Sequence, residues 1–388
     1  IQPRAPLTHA PSTPLLPTFL GIGPAKSGTT ALIELLRPLR GVRIGELYTR
    51  SYAEEKRANG KFWPELAFFL DTDSFHSTDG IAYYESLFKV ETRQPYEGEQ
   101  IVAVGEKTPA YSGFPLTPYQ VKDKLGGDVN LLFTVRDPVE AVVSKYIYHQ
   151  CCVRDDQTEE LECGGDTGCR ESFVRYHEML FLEHTNKAEC ARRRGLKLGM
   201  NDEIYSEVGG DSKAAYLNDA RLLAHCQVPS SADLAQQLTD HAMATNLRRW
   251  QHVFGADNIM CLHNTDLARN PQHARRVAAN FIGAPEPELD RVQEPEKMEA
   301  RGSVLDRLKG KKGAIGTTET EVEAEFMLYR LREFYETESA KHAWRLCAKN
   351  AYSVIMDPDA AEQAGVTPAP EWEWVRYADA NATARTNE

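Results

Sequence analysis

The chain has no long hydrophobic run, and no stretch of about 20 apolar residues that would form a membrane-spanning helix is present. It contains no internal repeat, and its histidines and cysteines lack the spacing typical of a zinc site. Basic residues are not in excess, since 45 Lys and Arg stand against 57 Asp and Glu, for a net charge of −12. This acidic balance argues against nucleic acid as a partner.

The length and composition predict one enlarged α/β domain. The 388 residues are 41% hydrophobic, which is enough for a substantial core. Apolar, β-rich runs near 18–23, 101–105, 131–135 and 259–262 are separated by helical stretches. This alternation indicates a central parallel sheet flanked by helices, with a ligand at the carboxyl ends of the strands.

The boundaries of this domain follow from changes in composition. Residues 1–17 contain five prolines and little periodicity, so we expect a stem or linker there. The main domain is predicted over 18–355, and 356–388 is a tail that ends in small and polar residues. A charged segment from about 151 to 245 is predicted to be a helical or loop insertion near the acceptor side of the site, and a solvated appendage is the alternative.

A candidate phosphate-binding loop follows the first strand. The strand-like run 19–22 leads into Gly-Pro-Ala-Lys-Ser-Gly-Thr-Thr at 23–30 and then into a helix. Glycines let the backbone approach an anion, and the helix N-terminus favours negative charge. Nucleotide triphosphatases carry lysine directly after the last glycine, whereas Thr29 follows Gly28 here and Lys26 lies two residues before it. An ordinary strand-to-helix turn is the alternative.

A second strand-loop-helix segment carries a candidate site for a terminal phosphate. The apolar run 131–135 ends at Arg136, and Asp137 with Pro138 is typical of a helix start. Ser144 lies eight residues after Arg136, about two turns along this helix. A guanidinium fork suits a phosphate monoester, and a surface salt bridge is the alternative for Arg136.

These two segments resemble the 5′-phosphosulfate loop and the 3′-phosphate site of sulfotransferases that use 3′-phosphoadenosine 5′-phosphosulfate (PAPS). A third segment, the strand ending in Glu-Lys-Thr-Pro-Ala-Tyr at 106–111, is similar to the Golgi glycan sulfotransferases of the heparan sulfate type. That group includes the N-sulfotransferases and the glucosaminyl 3-O-sulfotransferases. The resemblance implies a P-loop-like three-layer α/β fold, and it also covers 259–283 and the basic loop 308–313.

The resemblance implies a role for each matching residue. Lys107 corresponds to the lysine that faces the transferring sulfuryl group, and Lys26 acts on the leaving phosphate. The 5′-phosphate would be held by the loop, and Arg136 with Ser144 would hold the 3′-phosphate. The loop residues are Lys26, Ser27, Gly28, Thr29 and Thr30. Lys312 and Gly313 would close over the nucleotide, although a charged surface loop is the alternative there. No metal is required, because lysines supply the positive charge.

The general base is expected to be Glu46. Cytosolic sulfotransferases carry a histidine two residues after the lysine that matches Lys107, and this place is Pro109 here. In the glycan-type enzymes a glutamate on the strand after the loop helix fills the role, and Glu46 in the segment 42–48 matches it. A surface glutamate is the alternative, and tyrosylprotein sulfotransferases share the Gly-Glu step.

The resemblance therefore predicts an enzyme that moves a sulfuryl group from PAPS to a hydroxyl or amine, with adenosine 3′,5′-bisphosphate as the product. A glycan is the expected acceptor. The alternatives are a small molecule, a protein tyrosine, a catalytically silent nucleotide-binding relative and a P-loop kinase. Tyr83 and Tyr84 resemble a segment that packs near the acceptor cleft in the family, and the alternative is that they belong to the core. His76, His149, His177 and His263 are read as surface or core residues.

The eight cysteines predict an oxidising lumen. Cys163 and Cys169 bracket a glycine-rich turn that a small disulfide loop can close, and reduced thiols are the alternative. Together with the resemblance, this predicts a Golgi lumenal enzyme whose anchor, as in a type II membrane protein, precedes the chain; a cytoplasmic location is the alternative. Asn381 begins the one N-glycosylation sequon, which predicts a glycoprotein.

Overall fold

The structure is a computed structural model that describes the core of the chain and parts of its periphery. The described residues are 16–45, 101–154, 161–163, 169–196, 238–285, 304–309, 320–336 and 340–347, with single positions between 69 and 88, 217 and 226, 311 and 315, and 350 and 362. Seven strands lie in this part of the chain: β1 (Phe19–Gly21), β2 (Val42–Ile44), β3 (Ala103–Lys107), β4 (Asn130–Val135), β5 (Cys152–Arg154), β6 (Leu161–Cys163) and β7 (Ile259–His263).

Five of these strands form a central parallel sheet in the order β2-β3-β1-β4-β7. All six residues of β4 are buried, as expected for a strand covered on both faces. Phe19 of β1 pairs with Gly105 on one side and Asn130 on the other, so β1 is central and its carboxyl end lies between those of β3 and β4. The strand order therefore brings the three predicted site segments to one edge of the sheet.

Ten helices surround the sheet within the described residues. They are α1 (Thr29–Leu36), α2 (Thr117–Leu125), α3 (Pro138–Gln150), α4 (Phe173–Arg193), α5 (Met243–Phe254), α6 (Asn264–Arg269), α7 (Pro271–Phe281), α8 (Val304–Lys309), α9 (Glu321–Phe334) and α10 (Ala340–Cys347). None of these combines the length and the apolar composition needed to cross a bilayer. Short 3₁₀ turns lie at Pro109–Ser112 and Ala256–Asn258.

The sheet is covered by helices on both faces, because successive residues of a strand point to opposite sides. Leu20 packs on one face in a cluster with Trp250 of α5. Phe19, its neighbour in β1, packs on the other face with Leu32 of α1 and Ala278 of α7. The prediction of a three-layer α/β domain with a central parallel sheet is confirmed.

A third hydrophobic cluster holds α3 against α4 and α9. Tyr146 of α3 is fully buried there beside Phe173 and Tyr176, and its hydroxyl donates to the Glu171 carbonyl at 2.7 Å. Leu331 of α9 completes the contact. Because α3 follows directly from Arg136, this cluster fixes the helix that carries the second predicted phosphate site.

Three disulfides stabilise the described residues, and they join Cys151–Cys169, Cys190–Cys226 and Cys261–Cys347. The predicted Cys163–Cys169 loop is wrong, and the alternative of reduced thiols is wrong for these six cysteines. Cys163 instead lies opposite Cys152 in the antiparallel β5-β6 pair. The chain then returns to the end of α3, where the Arg170 N–H donates to the Gln150 carbonyl at 2.8 Å and Cys169 meets Cys151. Disulfides favour a secreted or lumenal protein.

His177 is a fully buried titratable group in the third cluster. Its ring lies among the Tyr146, Phe173 and Tyr176 rings, and Nδ1–H donates to the Phe173 carbonyl at 2.7 Å. Burial lowers the pKa of His177 from 6.5 to about 4, because a charged imidazole loses its hydration there. The folded protein therefore keeps His177 neutral at pH values where the unfolded chain protonates it.

We predict that His177 makes the protein less stable as the pH falls from 6.5 towards 4. The unfolded state gains a proton in this window, and the shift of the pKa to about 4 corresponds to roughly 3 kcal/mol of unfolding free energy. His177→Phe should remove this share of the pH dependence in urea unfolding at pH 7.5 and 4.5. The exposed His225→Phe is the control. A His177→Phe protein with the same pH dependence as the original chain would contradict the prediction.

Candidate functional site

The loop between β1 and α1 has a constrained backbone. Lys26 has a φ of 65° and Gly28 a φ of 105°, so both lie in the left-handed region. For a residue with a side chain this costs roughly 1–2 kcal/mol, which the surroundings must offset. At Gly28 a Cβ atom would also lie 3.0 Å from Leu267 Cδ1. The left-handed conformation therefore favours glycine here, and a larger residue would also press on the Leu267 side chain of α6.

Two successive carbonyl groups of the loop are bound by side chains from elsewhere in the fold. Arg136 Nη1 donates to the Lys26 carbonyl at 2.8 Å. His241 Nε2 lies 3.1 Å from the Ala25 carbonyl, and it donates because a carbonyl oxygen only accepts. These contacts fix the loop in one orientation at the N-terminus of α1, where the first N–H groups have no partner within the helix. The arrangement is suited to binding an anion.

The Ser27 side chain stabilises the loop from the protein side. It is fully buried and makes hydrogen bonds to the Pro24 carbonyl and to the hydroxyl of Thr134 in β4. At Gly23 a Cβ atom would lie 2.6 Å from the Thr134 backbone nitrogen. Glycine is needed at position 23 because β4 passes so close, and the sequence prediction did not include Thr134.

Arg136 is buried at the end of β4. The residue is 8% exposed, and its guanidinium makes an ion pair with Glu140 at 2.9 Å in addition to its bond to Lys26. Asp137 begins α3 as its N-cap, accepting from the Glu140 N–H at 2.9 Å, and Pro138 is the first helical residue. The predicted helix start is confirmed. The salt bridge proposed as the alternative for Arg136 exists, but its Arg136 side is buried next to the loop while the Glu140 side chain is 39% exposed.

Lys107 joins the third predicted segment to the loop. It is the last residue of β3, and its Nζ donates to the Thr30 hydroxyl in the first turn of α1 at 3.1 Å. At Gly21 a Cβ atom would lie 3.3 Å from the Lys107 Cβ, so β1 and β3 are close at this edge. The structure therefore brings Lys26, Thr30, Lys107 and Arg136 together at the carboxyl edge of the sheet.

The second half of α3 borders the loop as well. Lys26 Nζ lies 4.2 Å from the centre of the Tyr148 ring, a cation–π contact with a ring that is 42% exposed. The pKa of His149 is lowered to about 4, first by burial and then by the charges of Lys145 and Lys26. The Lys26 side chain therefore lies close to the second half of α3, and Ser144 of the same helix is half-buried.

A buried carboxylate lies directly behind Lys107. Glu106 is fully buried and accepts hydrogen bonds from the hydroxyls of Tyr84 at 2.7 Å, Tyr111 at 3.1 Å and Thr108 at 3.1 Å. Burial and the nearby Glu106 charge raise the pKa of both tyrosines well above 10. This network holds the end of β3 and the turn after it, so Lys107 extends from a rigid strand end. The core alternative for Tyr84 is confirmed.

Some predicted residues lie outside the part that the structure describes: His76, Tyr83, Glu46, Lys312 and Gly313. Gly45, immediately before Glu46 in the chain, is described, and its N–H donates to the Gly105 carbonyl at 2.7 Å. The roles of Glu46, Lys312 and Gly313 stay predictions.

Within the described ranges, no group of three or more His, Cys, Asp or Glu side chains is placed to hold a metal ion. His177 and His263 are fully buried, so the prediction that they are surface or core residues is confirmed for the core.

Comparison with known proteins found no matching family model. Several solved structures are similar to this chain, and two sulfotransferases are among them. A sulfotransferase from Alicyclobacillus acidocaldarius has 17% identity and a TM-score of 0.36, with 83% of this chain and 96% of that one covered. The sulfotransferase domain from the curacin biosynthetic pathway has 12% identity and a TM-score of 0.32, with 83% and 98% covered. At this level of similarity neither alignment assigns a function to the chain.

We predict that Gly23→Ala destabilises the protein by about 1–3 kcal/mol, because the added methyl group must displace β4 or the loop. The measurement is urea unfolding at neutral pH. Gly127→Ala is the matched control, since a Cβ atom there meets only Lys122 Cε at 3.9 Å; we expect a change within about 0.5 kcal/mol. Equal stabilities for the two variants would show that the loop is not packed against Thr134 in this way.

Proposed function

We propose that the protein is a PAPS-dependent sulfotransferase. One observation carries the proposal: two segments that separately match phosphate sites, 110 residues apart in the chain, are joined by the hydrogen bond from Arg136 to the Lys26 carbonyl. A nucleotide with a phosphate at each end of its ribose can therefore contact both sites at once. The packing of Gly23 against Thr134 and of Gly28 against Leu267 supports the proposal further, because it holds the loop in place at the N-terminus of α1.

Arg136 keeps donors for a terminal phosphate despite its contacts in the protein. Nε and Nη2 donate to Glu140, and Nη1 donates to Lys26. A guanidinium has five N–H groups, so these three bonds leave two for a ligand. Glu140 also holds the planar group in a fixed orientation, which reduces the entropy lost when a phosphate binds.

The cations at the sheet edge would perform the transfer. Lys26 and the α1 N-terminus stabilise the negative charge that develops on the leaving phosphate, and Lys107 contacts the sulfuryl oxygens. The loop and the Arg136 site hold the nucleotide at both ends, which aligns the sulfuryl group for in-line attack. Glu46 takes the proton of the attacking hydroxyl or amine. Ser144, Lys312 and Gly313 complete the nucleotide site in this proposal.

The proposed acceptor is a glycan, on the basis of the Glu-Lys-Thr-Pro-Ala-Tyr segment at 106–111. A small molecule or a protein tyrosine is the alternative, and nucleic acid is not an expected partner.

The three disulfides support an oxidising compartment, and we place the enzyme in the Golgi lumen as a type II membrane protein. The Glu106 network supports an active enzyme over a silent relative, because it holds Lys107 at the site.

We predict that the protein binds adenosine 3′,5′-bisphosphate, and that Lys26→Ala and Arg136→Ala each weaken this binding by about 10- to 100-fold. Each variant removes a charged donor, which contributes roughly 1.5–3 kcal/mol. Isothermal titration calorimetry measures the affinities, and Lys124→Ala on α2 is the control for the loss of a lysine outside the site. An original chain that does not bind the nucleotide would overturn the proposed function.

A second prediction separates the base from the binding residues. Glu46→Gln should bind adenosine 3′,5′-bisphosphate as the original chain does, while sulfuryl transfer falls by about 100-fold or more, because the amide accepts no proton. The assay uses labelled PAPS with a panel of glycans, phenols and peptides, which also identifies the acceptor class. Glu34→Gln on α1 is the matched control. Full turnover by Glu46→Gln would mean that another group is the base.

A further inference from the structure

The segment 238–242, near the end of the proposed insertion and directly before α5, is held by several hydrogen bonds. The Leu238 carbonyl accepts from the Tyr335 hydroxyl at 2.7 Å. The Asn246 amide donates to the carbonyls of Thr239 at 3.0 Å and Asp240 at 3.2 Å. The segment is therefore a rigid element, although no residue in it belongs to a regular strand or a long helix.

Asp240 connects this segment to two parts of the site. Its carboxylate makes an ion pair with Lys145 of α3 at 3.0 Å, and both side chains are only 11% exposed. A Cβ atom at Gly113 would lie 2.9 Å from the Asp240 Cα, so the segment also packs against the turn that follows Lys107. Asp240 thus fixes the position of the next residue, His241, relative to both α3 and β3.

His241 is fully buried and reaches the loop itself. Its Nε2–H donates to the Ala25 carbonyl at 3.1 Å, next to Lys26 with its left-handed backbone. The peptide bond between Ala25 and Lys26 is trans, and in a trans peptide the C=O and the N–H point in opposite directions. By holding the Ala25 carbonyl on one side, His241 directs the Lys26 N–H to the other side.

We propose that His241 is a positioning residue for the sulfuryl donor. It fixes the Ala25–Lys26 peptide so that the Lys26 N–H faces the 5′-phosphate, while Arg136 fixes the following carbonyl. This inference rests on the proposed function, since it names the residue that orients the donor loop of that same site. His241 acts through the loop backbone and does not contact the reacting atoms.

The test compares three variants by calorimetry with adenosine 3′,5′-bisphosphate. His241→Phe removes the N–H donor at similar size, and it should weaken binding by about 10-fold. His241→Gln keeps an N–H donor near the position of Nε2, and it should bind within about threefold of the original chain. His177→Phe is the matched control, because His177 is also buried and also donates to a carbonyl; it should leave the affinity unchanged even where stability falls.

Hydrogen exchange of the loop gives a readout that needs no nucleotide. The amide hydrogens of residues 25–28 should exchange faster in His241→Phe than in the original chain, and they should not exchange faster in His241→Gln. If His241→Phe fails to fold, His241→Asn is used instead, because its shorter amide falls short of Ala25. Equal affinity and exchange for the original chain and the Phe variant would overturn this inference alone. No binding by the original chain would overturn the proposed function and the inference with it.

Discussion

The candidate site depends on one interaction, the hydrogen bond from the Arg136 guanidinium to the Lys26 carbonyl. It connects the segments that follow two adjacent strands, β1 and β4, and so adds to the contacts of Ser27 and Gly23 with Thr134. Arginine suits this position because its planar group serves several acceptors at once, here Lys26 and Glu140. A lysine would supply the charge but not the fixed geometry. The strained backbone of Lys26 is maintained by this contact and by the packing around Gly28.

The distribution of charge explains how a chain of net charge −12 maintains a positive site. Among the described residues, three carboxylates around the site are bound to partners in the protein: Glu140 to Arg136, Asp240 to Lys145, and Glu106 to three hydroxyls. Lys26 lies over an aromatic ring and Lys107 donates to a hydroxyl. The potential at the sheet edge is therefore set by local pairing, and the total charge of the chain says little about it.

Much of the fold and part of the site could be predicted from the sequence, because their signals are local. The buried run of β4, the Asp137-Pro138 helix start and the glycine-rich loop each depend on neighbouring residues, and each is present in the structure. The contact of His241 with Ala25 joins residues 216 apart, and no periodicity marks it. The ion pair between Arg136 and Glu140 could have been predicted, because residues four positions apart at a helix start lie close together. The pairing of Cys151 with Cys169 was missed because the β5-β6 hairpin had not been predicted.

The Cys151–Cys169 bridge has a consequence for how the protein can vary. It joins the last turn of α3 to the point where the chain returns from the hairpin, so the intervening residues form a covalently closed excursion. Insertions or deletions within this excursion leave both of its ends in place. Changes in the excursion therefore need not displace α3, the helix that begins next to Arg136.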